Sequence, residues 1–341
     1  MPIKRAIFDK KNILIIGGAG FVGSHLCDEL VKEDKVICID NFLTGREENI
    51  SHLLENTNFK FINHDINNLI DLEKQAELRN FKVEFQGLQE IYYLASPASP
   101  KAYTKLPIES LLDNSVGLRN ALDLAVKYKA QFFYASSSTV YGDTSSQKIV
   151  KEDYFGPQDH LAVRAVFSEA KRFGETLVQS YRLKYDLDAK IARIFNCYGP
   201  RLKLDDGRMI PEMIRQAISG EDITVYGDEK SFGSYFYIND LIKVIIKLMK
   251  SPEFGPVNLA SDWKNTYSEI AQKIIAITKA PVKIKYDKPL DYMGEQAIAD
   301  ITLAKEALGW FPVVLLDEGL KKTIDYLSAQ KDIEEPEQLI K

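Results

Sequence analysis

The chain has 341 residues, 45% hydrophobic and 27% charged, with a formal net charge of -5, enough for a sizeable core in one large domain or two coupled lobes. Interspersed signs with a negative balance argue against a broad nucleic-acid footprint, and leave room only for local basic pockets that hold phosphate. Cys27, Cys38 and Cys197 are far apart and the four histidines lack metal-ligand spacing, so neither a disulfide framework nor a metal site is expected, and a reducing cytoplasm is.

The opening segment MPIKRAIFDKKNILIIGG is basic, but its apolar run soon meets glycines. That pattern suits neither a signal peptide nor a membrane span. Strands are predicted at 12–17 (NILIIG), 35–40 (KVICID), 59–65 (FKFINHD), 90–96 (EIYYLAS) and 130–138 (AQFFYASSS), with helices over 20–32 and 107–128. Residues 66–88 separate two strands, and their charged EKQAELR pattern reads as a crossover element with a solvated face. A helix over 162–185, a strand at 189–194 and a loop rich in Pro, Gly and Asp, FNCYGPRLKLDDGR, follow.

Strands alternating with helices predict a parallel sheet covered on both faces, because parallel strands need crossovers. The fold class is therefore α/β, a Rossmann-type doubly wound sheet with a smaller C-terminal α/β substrate lobe. The expected division is 1–195 for the first domain with a returning segment near 236–252, 196–330 for the lobe, and a charged tail at 331–341.

NILIIGGAGFVGSHL sets Gly17, Gly20 and Gly23 after an apolar strand and at the opening of a helix. The first glycine permits a tight turn, the second lets the main chain approach a pyrophosphate, and the third lets helix and strand pack closely. Asp40 ends the second strand in VICID, where a carboxylate binds the two ribose hydroxyls and repels a 2′-phosphate. NAD is thus favoured over NADP, although Asn41 and Arg46 follow nearby. Asp65 can approach the adenine edge or simply end its strand.

GGAGFVG, Asp40, YLASPASP, the SSS before TVYGD and the helix reading FSEAK together resemble the extended short-chain dehydrogenase/reductase family, also known as the NAD-dependent epimerase/dehydratase family. Among its members the chain looks most like the UDP-glucuronate decarboxylases, through DNFLTGREENI, LASPASPKAY, EDYFGPQDHLAVRA, RIFNCYGPRLKLDDGR, ITVYGDEKSFGSYFYINDL and ITLAKEALGWFPVVLLDEGL in order. That resemblance implies an NAD-dependent enzyme that oxidises C4 of a nucleotide sugar, favouring a UDP-sugar, before decarboxylation, dehydration or epimerisation of the 4-keto intermediate. The family's YxxxK supplies a phenolate base beside a lysine that holds the nicotinamide ribose. Its residues fall on Ser137, Lys171 and, in place of the tyrosine, Phe167. The implied cofactor-binding set is Gly17, Gly20, Phe21, Val22, Gly23, Asp40, Asn41, Asp65, Ile66, Leu94, Ala95 and Lys171.

Other positions depart from the decarboxylases. Thr139 stands where they carry a glutamate, Gly233 where they carry an arginine, and GEQAIADI lacks a further arginine. Losing bidentate arginines weakens a diphosphate site unless Arg201, Lys203 or Arg208 compensate. Tyr103, Arg164 and Asn196 match substrate-facing positions, whereas Tyr141 reads as structural. Three readings stay open: a decarboxylase-type enzyme, a dehydrogenase or 4-epimerase, and an NAD-binding protein impaired by a natural or engineered Tyr-to-Phe change. The resemblance also implies a homodimer built on the helices near 107–128 and 162–185.

Overall fold

A computed structural model describes residues 9–163, 165–289 and 297–334. Seven strands form one sheet: β1 (Asn12–Ile16), β2 (Lys35–Asp40), β3 (Phe59–Asn63), β4 (Glu90–Tyr93), β5 (Gln131–Ser137), β6 (Ala189–Ile194) and β7 (Val257–Leu259). Their order is β7-β6-β5-β4-β1-β2-β3, and β1 pairs parallel with both β2 and β4. The chain therefore reverses its winding beside β1, which leaves a crevice at the strand C-termini where ligands bind in such sheets. All five residues of β1 are buried, as a strand covered on both faces requires.

Two compact units divide the chain. The first comprises Met1–Pro97, Ile108–Ala135 and Arg172–Ile191, the second Ala98–Pro107, Ser136–Lys171 and Ala192–Lys341. The core of the first joins Leu14, Ile37, Ile91, Tyr93, Phe132, Tyr134 and Leu122 from strands and helices. Helix α1 (Phe21–Leu30) follows β1.

The helix predicted over 107–128 is interrupted. Pro107–Leu112 and α2 (Leu118–Tyr128) flank a wider π-type turn at Asp113–Gly117. Polar side chains explain it: Tyr93 donates its hydroxyl to the Asp113 carbonyl, and Asn114 binds Ser96 Oγ at 2.9 Å while accepting from the Tyr134 hydroxyl at 2.8 Å. Helix α3 (Ala165–Tyr185) starts later than predicted, and within the first unit Tyr181 donates to Asp123 of α2 at 2.6 Å. EKQAELR does not form one helix; Leu72–Lys74 and Ala76–Phe81 are 3-10 turns that bury Leu72, Leu78 and Phe81.

In the second unit the elements are short. Phe236–Tyr237 pairs with Cys197–Tyr198, Ile223–Tyr226 with Ile284–Asp287, and Phe232–Gly233 with Asn265–Thr266. Helices α4 (Met209–Ile218), α5 (Ile238–Lys250), α6 (Tyr267–Thr278), α7 (Thr302–Leu308) and α8 (Leu316–Glu334) pack among them. Among the described residues no helix is long and apolar enough to cross a membrane, and no cluster of metal-ligating side chains occurs.

Candidate active site

In the first unit, β1 delivers the chain into Gly17, whose φ of +83° and close approach to Ala95 exclude a side chain: a Cβ there would lie 2.7 Å from Ala95 N. Leu94 and Ala95 thus form the wall of the turn, Leu94 N bonding Ile16 O at 2.9 Å. A Cβ on Gly23 would lie 2.2 Å from Gly17 O, so the third glycine lets α1 press against the loop. Gly20 differs, because a Cβ there would meet only Gly17 O at 3.3 Å. Gly20 is the N-cap of α1, with no side-chain cap and no acidic residue in the first turn. The N–H groups of Phe21, Val22 and Gly23 therefore lack intrahelical acceptors and suit an anion.

Asp40, 8% exposed, closes β2. Ala19 N donates to its Oδ2 at 2.9 Å and Phe42 N to its Oδ1 at 2.8 Å. Burial raises its pKa, and the main-chain donors partly oppose that. Held this way, the carboxylate keeps acceptor capacity for hydroxyl donors. Asn41 is exposed, with Oδ1 accepting from Leu43 N at 3.0 Å. Asp65 Oδ1 accepts from Asn67 N at 2.9 Å, and Ile66 is buried beside it. An open main-chain cradle with a fixed carboxylate at the end of the next strand fits a dinucleotide bearing a free ribose diol.

In the second unit, Ser137 ends β5 and caps the following 3-10 turn, its Oγ accepting from Thr139 N at 3.3 Å. Thr139 Oγ1 is buried with no hydrogen-bond partner among the described residues. Phe167 and Lys171 lie one turn apart on α3, 6% and 4% exposed, with Nζ 5.7 Å from the ring centroid. Tyr103, on the short helix Pro100–Lys105, stacks on Phe167 with centroids 5.3 Å apart and planes at 11°.

The basic and amide candidates are tied into the protein. Arg208 Nη1 bonds Asp206 Oδ2 at 2.6 Å, and its Nη2 bonds Ala98 O at 3.1 Å. Asn196 Nδ2 donates to Ser234 O at 3.2 Å. Arg201 adopts φ of +71°, an uncommon conformation for a non-glycine residue. Arg164 lies outside the described residues. Tyr141 donates to Asn258 Oδ1 at 2.5 Å, and burial pushes its pKa up to about 12 against the nearby Arg193.

The sequence profile of the NAD dependent epimerase/dehydratase family matches residues 13–260. The chain belongs to that family. It is 39% identical over 323 residues to UDP-glucuronic acid decarboxylase 1 of Danio rerio, spanning 94% of this chain and 74% of the relative. UDP-glucuronic acid decarboxylase 4 of Arabidopsis thaliana is 40% identical over 321 residues, 94% of this chain and 68% of the relative. The crystal structure of UDP-glucuronic acid 4-epimerase from Bacillus cereus in complex with UDP-glucuronic acid and NAD matches with a TM-score of 0.80 and 27% identity, covering 94% of this chain and 99% of that one.

One feature of this family member, Asn114, had not been singled out in the sequence, and the surroundings of another, Gly233, could not be read from it. Asn114 is fully buried at the widened turn, and the only signal was a run of polar residues, DNS, inside an otherwise apolar helical pattern. Gly233 has its side-chain space filled: a Cβ there would lie 2.7 Å from the Tyr235 ring and 3.1 Å from the Tyr267 ring. The three aromatics of SYFY signal an apolar surface without saying which way it faces.

Proposed function

We propose that the chain is an NAD-dependent sugar-nucleotide enzyme that oxidises C4 of a UDP-sugar, with UDP-glucuronate as the favoured substrate and loss of its carboxyl group as CO₂ from the 4-keto intermediate. The observation that carries this reading is the identity of 39% to a UDP-glucuronic acid decarboxylase across 94% of the chain. NAD, when bound, supplies the hydride acceptor. Gly17, Gly20, Phe21, Val22 and Gly23 would hold its pyrophosphate, Asp40 the adenosine ribose, and Lys171 the nicotinamide ribose. Ser137 orients the C4 hydroxyl, and the unpartnered Thr139 hydroxyl offers a second polar contact to the sugar. Tyr103 contacts the sugar; Asn196 and Arg208 shape the pocket through the segments they fasten, and Arg201 supplies charge.

A second reading, 4-epimerisation without decarboxylation, is favoured by Thr139 at the family's glutamate position and by the likeness to the 4-epimerase fold. NAD-loaded protein incubated with UDP-glucuronate separates the two. CO₂ release with a UDP-pentose supports the first, UDP-galacturonate supports the second, and neither product with bound NAD intact refutes both in favour of a binding protein.

The chain also assembles, on this reading, as a homodimer through the interrupted helical stretch 107–128 and α3. Ile108, Leu111 and Leu112 precede α2, and Phe173 and Leu183 lie on α3; each is at least 42% exposed, a cost that burial against a second copy removes. Sedimentation reads the mass directly. Cys27, Cys38 and Cys197 are free thiols, which supports a reducing compartment such as the cytoplasm.

A further inference from the structure

The geometry points to Tyr103 as the catalytic phenol of this protein, its Oη taking the C4 hydroxyl proton that Phe167 cannot accept. This inference rests on the C4-oxidation reading above. Phe167 fills the position of the family tyrosine, and its ring carries no acid or base. The ring stacked on it belongs to Tyr103, 5.3 Å away and nearly parallel, while Lys171 Nζ lies 5.7 Å from the same Phe167 ring. A phenol and an ammonium are thus gathered around one apolar ring, all three side chains no more than 6% exposed.

Tyr103 is also well fixed. Ser99 caps its helix, accepting from Ala102 N at 3.3 Å, and Arg208 holds the preceding turn through Ala98 O at 3.1 Å. Rigid support of this kind is what a proton-transfer group needs. Another phenol of the same unit, Tyr141, donates to Asn258 Oδ1, and burial pushes its pKa up to about 12, out of range for a base near neutral pH. On this proposal the Lys171 ammonium, held against the same Phe167 ring, favours the charged form of the phenol.

The step balances as follows. The hydroxyl O–H bond breaks and an O–H bond forms at Tyr103 Oη, while the C4–H bond breaks and its electron pair leaves as hydride to the nicotinamide. The carbinol is oxidised to a ketone and NAD is reduced. When the hydride returns, the neutral phenol gives its proton back.

Four variants test this: Tyr103→Phe, Phe167→Tyr, their double substitution and Lys171→Met. In ultraviolet difference titration without substrate, the wild type shows one phenolate forming below the ordinary tyrosine range. Tyr103→Phe abolishes that signal and Lys171→Met moves it to higher pH. In single turnovers at saturating UDP-glucuronate, Tyr103→Phe slows NADH formation by about 10²–10⁴-fold with NAD affinity unchanged, and adding Phe167→Tyr restores it. A Tyr103→Phe variant that only raises KM, or that keeps the wild-type rate and titration, overturns the inference. Wild-type protein that oxidises no nucleotide sugar refutes the C4-oxidation reading instead. The titration then still decides whether Tyr103 is a perturbed phenol, and an unperturbed one overturns the inference on its own.

Discussion

Gly20→Ala and Gly23→Ala place the same methyl group three residues apart, at the N-cap and in the first turn of α1, and they are expected to fail differently. At Gly23 the new Cβ would lie 2.2 Å from Gly17 O and 2.7 Å from Gly18 Cα. Both are main-chain atoms, so α1 must move off the loop. Overpacking of that kind costs about 1–3 kcal/mol, offset by up to about 1 kcal/mol of helix propensity. A net loss of about 1–2 kcal/mol lowers Tm by about 2–8 °C, taking about 2–4 °C per kcal/mol. At Gly20 the backbone is extended, with φ -76° and ψ 179°, and the methyl meets only Gly17 O at 3.3 Å. Stability there changes by less than about 1 kcal/mol.

The Gly20 methyl occupies the mouth of the cradle, where the main chain has to approach a pyrophosphate. NAD affinity therefore falls by about tenfold or more, equal to about 1.4 kcal/mol. Thermal melts with and without NAD separate the two effects, because ligand at about 100 times its Kd stabilises the wild type by about 2.7 kcal/mol. Gly20→Ala keeps the unliganded Tm and loses much of the NAD-induced rise; Gly23→Ala loses unliganded Tm. If the unliganded Tm of Gly20→Ala drops as far as that of Gly23→Ala, or if Gly20→Ala keeps the full rise, the assigned roles of the two glycines are wrong.

Gly233→Arg lowers the urea midpoint by the equivalent of about 1–3 kcal/mol, because its Cβ runs into the Tyr235 and Tyr267 rings; a variant as stable as wild type that binds UDP more tightly contradicts this. Asp40 has a pKa raised by burial, so on acidification it loses its charge at a higher pH than an ordinary carboxylate. NAD affinity, measured by calorimetry, falls with pH through that titration, and Asp40→Asn flattens the profile and narrows the preference over NADP. Tyr141 ionises near 10 when unfolded and at about 12 in the fold. The unfolded chain then binds fewer protons across that window, so stability falls by about 2–3 kcal/mol as pH rises through it. Tyr141→Phe removes that slope, which chemical denaturation at pH 9 and pH 11 reads.

The sheet was legible because parallel strands are buried on both faces and so appear as unbroken apolar runs. NILII and KVICID need no tertiary information to be recognised. The 113–117 turn was not legible, since what widens it is a set of partners drawn from other segments: the Tyr93 and Tyr134 hydroxyls and Ser96 Oγ. EKQAELR misled for a related reason. Its spacing suits a helix, but Leu78 and Phe81 are drawn into the core, and Lys82 turns to a positive φ of 51° immediately after. On the substrate side, Arg208 has a local partner in Asp206, but its second acceptor, Ala98 O, and the acceptor of Asn196 lie 110 and 38 residues away in sequence, and no local pattern announces them.

The departures from the decarboxylase pattern differ in how deeply the fold has absorbed them. Phe167 alone is ambiguous, because a phenylalanine occupies a tyrosine's volume and one substitution can place it there. Gly233 is not ambiguous in the same way: two aromatic rings from separate elements, Tyr235 beside it and Tyr267 opening α6, stand where a longer side chain would go. The space that a longer side chain at 233 would need is thus already occupied. The Tyr103 stack closes over Phe167 in a comparable way. Gly233→Arg on its own therefore does not rebuild an arginine site, because both rings stand in the way of the new side chain. Gly233→Arg needs smaller residues at 235 and 267 to fold well, so the triple variant Gly233→Arg, Tyr235→Ala and Tyr267→Ala is expected to exceed Gly233→Arg in stability, although each alanine alone destabilises the parent. If the triple variant is instead less stable than Gly233→Arg, the rings are not what excludes the arginine.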